Sequence, residues 1–179
     1  YASCTCIYPN DEKTLEEGDA WKGNPPEAHA SYSWSKRMGE RQAIAFHKEY
    51  GMDIAIVRPS NSYGPRDSDD LETAHALGSL IMKAIKKMDP FIIWGDGSPI
   101  REYIYAKDAA KGMLLAMENY CVGDPINLAS GEFVSIDELA RKILSITNTD
   151  PEIKFDMDKP SGQKRRVLSN KKAEEKIGF

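Results

Sequence analysis

Three features of the 179-residue sequence predict an α/β fold built on a parallel sheet. Short apolar runs, several rich in β-branched residues, recur at 53–58 (DIAIVR), 91–94 (FIIW) and 125–128 (PINL), each closed by a turn or loop former. Longer stretches with apolar residues at helical spacing lie around them, at 32–50, 73–87, 108–119 and 135–146. Strand, helix and strand then follow in that order from the first residues, the pattern of a right-handed βαβ unit.

Each element has its own local reason. Residues 1–9, YASCTCIYP, are small, apolar and β-prone, and read as a buried strand ending at Pro9. Residues 10–30 are polar and rich in Pro, Gly and Glu, which makes a loop, with Pro25 and Pro26 ahead of the helix. Segment 32–50 is filled with good helix formers, and Gly51 stops it. Strand 53–58 closes at Pro59, and loop 59–70 (PSNSYGPRDSDD) follows at the carboxyl end of that strand, where open α/β sheets place ligands. Gly95-Asp96-Gly97 is a tight turn after 91–94, with Trp94 assigned to the core. Residues 102–105 form a further short strand, and Asp108 is the expected N-cap of helix 108–119. Ser135 and Glu138 have capping-box spacing at the head of helix 135–146. A short strand at 152–155, a basic loop (KPSGQKRR) and a short helix complete the chain.

Composition narrows the functional classes. Charged residues make up 29% and the formal net charge is -4, which argues against nucleic acid as a partner. No apolar run approaches the roughly 18 residues of a membrane span, so no membrane partner is expected. The cysteines are Cys4, Cys6 and Cys121, an odd number without framework spacing, which points to reduced thiols and a cytoplasmic setting. In an extended strand Cys4 and Cys6 have neither comfortable disulfide geometry nor the usual spacing of a zinc pair, and no metal site is expected.

The stretch SYSWSKRMGE carries Tyr32 and Lys36, four residues apart and on one helix face. A free tyrosine has a pKa of about 10, and a nearby cation favours the phenolate. The pair then serves as a proton shuttle for an alcohol–ketone interconversion. The plain alternative is a solvated helix face that happens to carry both residues.

Six blocks in one order sharpen this: ASCTCIYP, Tyr32-x-x-x-Lys36, RPSNSYGP, WGDGSPIREYIYAKDAA, PINLASG and KPSGQKRR with IGF. Together they resemble the C-terminal part of the extended short-chain dehydrogenase/reductase family, in its nucleotide-sugar epimerase/dehydratase branch. CIYP, the His75 position, IREYIY and KPSGQKRR look most like the GDP-L-fucose synthase group, with GDP-mannose 3,5-epimerases, UDP-glucose 4-epimerases and dehydratases as relatives. The resemblance implies a Rossmann-like parallel sheet. Residues 1–70 would be the remnant of a dinucleotide-binding domain. Residues 71–179 would be a smaller mixed α/β substrate-binding domain, with short segments returning to the sheet.

The resemblance also implies a chemistry: NAD or NADP as cofactor, a nucleotide-diphosphate sugar as substrate, and a homodimer formed through the tyrosine helix. The chain has no G-x-x-G-x-x-G turn, so that part is expected ahead of Tyr1, and tight cofactor binding by these residues alone is not expected. The activity would belong to the intact enzyme, with a non-catalytic, self-associating module as the alternative for this chain. Tyr32 and Lys36 match the catalytic pair, and Lys36 would also hold the nicotinamide ribose. Cys4 stands where the family has a serine or threonine, a departure that gives a weaker donor. Cys6 and His75 match the base and acid of 3,5-epimerisation; a buried small cysteine and a surface histidine are the plain alternatives. Pro59 and Ser60 would lie along the nicotinamide. Asn61, Arg101, Lys164 and Arg166 would contact the sugar or its phosphates, with a turn residue at Asn61 and a solvated basic loop at 164–166 as the alternatives. His29 and His47 carry no expected role.

Overall fold

The computed structural model describes residues 1–11, 13–71 and 73–179. Glu12, within the expected loop 10–30, lies outside the described residues. The chain divides into two compact units. The first holds 1–62, 102–132 and 166–179; the second holds 63–101 and 133–165.

The first unit is built on helix α1 (Ala30–Tyr50), strand β2 (Ile54–Pro59), helix α3 (Ala106–Asn119) and strand β6 (Val122–Leu128). β2 and β6 pair in parallel, with Val57 opposite Ile126 and Pro59 opposite Leu128. β2 is the expected apolar run, shifted by one residue. α1 ends as the sequence predicts, with Gly51 in the left-handed conformation at φ 65. A second parallel pair joins β1 (Thr14–Leu15) to β9 (Arg165–Leu168), with Thr14 opposite Val167. Strands β3 (Asn61–Tyr63) and β5 (Ile100–Tyr105) extend it in the order β1-β9-β5-β3, while β7 (Phe133–Ser135) lies in the second unit. Ala55, Val57, Ile104, Ala116, Ile126 and Leu128 form the core, sealed by Ala173 and Ile177 of helix α5 (Lys171–Ile177).

The N-terminal segment departs from the expected strand. Ala2 makes a single parallel bridge to Val57. The chain then leaves Cys4 in an extended conformation and enters a 3-10 turn over Thr5–Ile7. Arg37 of α1 explains the break: its Nε and Nη2 donate to the Ile7 carbonyl at 3.0 and 2.7 Å, and Nη2 also donates to the Gly23 carbonyl at 2.7 Å. A ladder partner cannot use a carbonyl already taken by a buried guanidinium. The same position of α1 is flanked by Trp21 and Trp34, whose ring centroids lie 5.2 and 4.9 Å from the guanidinium carbon.

A buried polar network crosses this unit. Arg58 reaches Glu40 twice, Nε to Oε1 at 2.8 Å and Nη2 to Oε2 at 2.7 Å. Its Nη1 donates to the Tyr8 hydroxyl at 2.9 Å and to the Glu17 carbonyl at 2.7 Å. Tyr8 in turn donates to Asn127 Oδ1 at 2.6 Å. Burial pushes the Tyr8 phenol up to about 12. Glu102 on β5 is buried and accepts from the Gly131 and Leu168 backbone N–H groups at 2.9 and 3.0 Å.

The second unit packs helix α2 (Ala76–Ile85) against helix α4 (Ile136–Thr147), beside the parallel pair of β4 (Phe91–Trp94) and β8 (Ile153–Asp156). Ser135 caps α4 with Glu138 in a complete capping box, as its spacing predicts. Two expectations need correcting. Asp108 is not a cap: α3 begins at Ala106 after Tyr105, and Asp108 sits in its first turn, where an acid favours the helix dipole. Trp94 is not core. β4 alternates inward Phe91 and Ile93 with outward positions, which leaves Trp94 55% exposed under the Lys159 ammonium, 5.6 Å from its ring.

Candidate active site

α1 presents Tyr32 and Lys36 one turn apart, with Ser33 and Arg37 facing inward between and below them. Tyr32 is 52% exposed. The Lys36 ammonium lies 5.7 Å from its ring and donates to the Ala2 carbonyl at 2.9 Å, which ties the helix to the N-terminal segment. The sequence reading has the phenol shifted down by its lysine. The structure has it shifted up, by partial burial and by the thiols of Cys4 and Cys6. An ammonium that spends a donor on a backbone carbonyl, 5.7 Å from the ring centroid, leaves those effects in charge.

The 3-10 turn gathers the thiols. The Tyr32 hydroxyl hydrogen-bonds to Cys4, Cys4 to Cys6, and Arg166 to Cys6. Donors converge on Cys6: phenol to Cys4 and thiol to Cys6 from one side, guanidinium to Cys6 from the other. The hydrogen bond from Cys4 leads in pushing the Cys6 thiol down to about 6, against burial, with the Arg166 and His29 charges assisting. Cys4 moves the other way, held protonated by its bond to Cys6 and by burial. Arg166 is nearly buried, and its Nη1 also donates to the Thr5 carbonyl at 3.3 Å, so it is anchored on the turn that carries Cys6.

The remaining candidates divide between the units. Pro59 and Ser60 end β2 in the first unit. The Ser60 hydroxyl is buried and has no hydrogen-bond partner among the described residues. Asn61 donates through Nδ2 to the Glu102 carbonyl at 2.8 Å. His75 lies in the second unit as the exposed N-cap residue of α2. Arg101 and Lys164 belong there too; Arg101 Nη1 donates to the Ile100 carbonyl at 2.9 Å, and the Lys164 carbonyl accepts from the Ile100 N–H at 2.8 Å. Among the described residues no group of His, Cys, Asp and Glu is arranged to hold a metal.

Sequence reasoning missed His29 and Arg37. His29 stands three residues before Tyr32 at the helix entrance, a spacing that places it over the same face, and this was its available signal. Arg37 follows Lys36 and points inward, against the usual preference of a charged side chain, and no local signal marks it.

A family model described as "NAD dependent epimerase/dehydratase family" matches residues 1–129. GDP-L-fucose synthase of Sinorhizobium fredii is 32% identical over 177 residues, which cover 96% of this chain and 56% of that protein. GDP-L-fucose synthase of Dictyostelium discoideum is 34% identical over 175 residues, covering 94% and 54%. The crystal structure of a GDP-L-fucose synthetase from Naegleria fowleri bound to NADP superposes with a TM-score of 0.89 at 28% identity, over 97% of this chain and 58% of that one. The chain thus spans a little over half the length of the relatives it matches. With the expected motif order, the parallel strand pairs and the Tyr32–Lys36 helix in place, the chain belongs to the NAD dependent epimerase/dehydratase family.

Proposed function

We propose that this chain carries the acid–base machinery of an NAD(P)-dependent nucleotide-sugar epimerase-reductase, of the kind its GDP-L-fucose synthase relatives are named for. The observation that carries the reading is the donor chain from Tyr32 through Cys4 to Cys6. It puts a proton-transferring phenol and an acidic thiol on one wall. Tyr32 passes a proton to or from the oxygen on carbon 4, and Lys36 orients it. Cys6 removes a proton from a carbon next to the 4-ketone, and His75 is the candidate acid that returns one. Arg166 serves here to keep Cys6 anionic. Asn61, Arg101 and Lys164 remain as contacts for the sugar and its phosphates, and exposed Trp94 offers a face to the nucleotide base.

The residues fit the nicotinamide end of a cofactor. Lys36 keeps further N–H donors beyond the one given to Ala2, and the buried Ser60 hydroxyl awaits a partner. Hydride exchange at carbon 4 is the chemistry a bound nicotinamide would supply. We further infer a homodimer. α1 exposes Trp34, Met38, Phe46 and Tyr50, separated by four, eight and four residues, an apolar surface suited to a second helix. Three unpaired thiols fit a reducing, cytoplasmic setting. Among the described residues no helix is long and apolar enough to cross a membrane.

The test is solvent exchange with a GDP-4-keto-6-deoxyhexose in deuterated water, read by NMR. Exchange next to an existing ketone needs no hydride, so this chain suffices. Deuterium should enter carbons 3 or 5, Cys6→Ser should abolish it, and Tyr32→Phe should leave it largely intact. Binding of the sugar without label would overturn the 3,5-epimerase reading and leave a 4-epimerase or dehydratase; no binding would leave a non-catalytic module.

A further inference from the structure

Cys4 and Cys6 stand apart from Cys121 in three respects, none of which depends on the sugar chemistry. First, the 3-10 turn changes their spacing. With Thr5 helical, its two neighbours' Cα atoms come to about 5–6 Å, inside the range of roughly 4.4–6.8 Å that a disulfide spans. The extended strand expected from sequence offered no such geometry. Second, the two thiols act on each other's ionisation, Cys4 pushing Cys6 down and Cys6 holding Cys4 up. Third, the turn is fastened on both sides, by Arg37 at the Ile7 carbonyl and by Arg166 at the Thr5 carbonyl, so the backbone that carries both thiols is held in place. Arg166 also sets a buried cation against Cys6, the setting in which a thiolate is both present and attackable. Both thiols are half-buried.

We propose that Cys4 and Cys6 form a peroxide-oxidisable pair, in which Cys6 reacts first and Cys4 closes a reversible intramolecular disulfide. The Cys6 thiolate attacks one oxygen of a hydroperoxide such as hydrogen peroxide. The S–O bond forms, the O–O bond breaks, and hydroxide leaves and takes a proton to become water. The Cys4 sulfur then attacks the Cys6 sulfenic acid. The S–S bond forms, the S–O bond breaks, and the hydroxide released leaves as water with the Cys4 proton. Two thiols lose two electrons and one peroxide becomes two waters. The oxidised turn has no free thiol left beside Tyr32, and a dithiol reductant restores it.

The experiment treats the purified chain with one equivalent of hydrogen peroxide, followed by intact mass and peptide mapping under acid quench. The expected product is lighter by two hydrogens, with residues 4 and 6 linked, Cys121 free, and full reversal by dithiothreitol. Cys4→Ser should stop one oxygen heavier, as a sulfenic acid that dimedone captures at Cys6. Cys6→Ser should slow peroxide consumption by at least about tenfold, because the thiolate is the nucleophile. Circular dichroism of both variants checks that the turn's host remains folded. Three results would each overturn the proposal. These are direct passage of wild-type Cys6 to a sulfinic acid, a disulfide between two chains in place of the internal one, and Cys121 reacting ahead of Cys6.

Discussion

Replacing Cys4 with alanine removes the S–H that Cys6 receives and leaves Arg166 and the turn in place. A hydrogen bond to a charged group contributes about 1.5–3 kcal/mol, and one pKa unit corresponds to about 1.4 kcal/mol. The Cys6 inflection, near about 6 in the native chain, should therefore rise by about 1–2 units in Cys4→Ala. The rate at one pH would hide this. At pH 7 the thiolate fraction falls by about 2–10-fold over such a rise, but intrinsic nucleophilicity climbs about threefold per unit with a Brønsted slope near 0.4–0.5, and the two nearly cancel. The assay is accordingly iodoacetamide alkylation of Cys6 from acid to alkaline pH, quantified by peptide mapping, with Cys4→Ser as the variant that retains a donor. An unmoved inflection in Cys4→Ala, or a native inflection near 8.5, would refute the donor chain. Stability should follow the same titration. Cys6 has its folded-state pKa depressed, so the unfolded chain binds more protons between about pH 6 and pH 9 and Cys6 adds stability as pH rises through that window. Cys4, with its folded-state pKa raised, opposes this above pH 9.

Three other outcomes follow from the geometry. Arg58→Met strands the fully buried Glu40 carboxylate and should cost about 3–5 kcal/mol in urea unfolding, or about 6–20 °C in melting temperature, with Glu40→Leu in the same chain recovering much of it; a loss below about 1 kcal/mol would mean the network carries little weight. Gly97→Ala forces a side chain into φ +74, with its Cβ 2.8 Å from Phe155 Cε1 and 3.0 Å from Asp137 Cβ. It should lower stability by about 1–3 kcal/mol by calorimetry, and an unchanged melting curve would contradict the turn geometry. Met38→Glu with Phe46→Glu charges the exposed apolar surface on α1 and should shift sedimentation toward monomer; an unaltered distribution would place self-association elsewhere.

Much of the fold is local and therefore readable. Helix α1 has its stop at Gly51, α4 has its capping box, and β2 and β4 are apolar runs between breakers, all decided by neighbours in sequence. What escapes is decided by long side chains reaching across the fold. The N-terminal run has every β-strand signal, yet Arg37, thirty residues on, takes the Ile7 carbonyl and bends it into a turn. Arg58 looks like the polar end of a strand and is instead fully buried, because Glu40 and Tyr8 come from elements that sequence places far away. β1 and β9 are two and four residues long, too short for any periodicity, and exist through pairing across about 150 residues. At the candidate site Tyr32 and Lys36 are legible from spacing and motif order. The Cys4–Cys6–Arg166 contact is not, since Arg166 reads as a member of a solvated basic run.

Arg166 follows Cys6 by 160 residues, and synthesis runs in one direction. On the ribosome, the turn that bears Cys6 is therefore translated well before the guanidinium that assists its anion. The β9 strand that brings Arg166 to the turn also supplies the Leu168 N–H for Glu102 and the Val167 partner for Thr14. Docking of this one stretch therefore joins β1 and Glu102 to the first unit and brings the assisting cation to the thiol in the same event. A nascent chain halted before residue 165 would carry Cys6 without this cation. The cation's share of the thiol's acidity is gained only once β9 has docked.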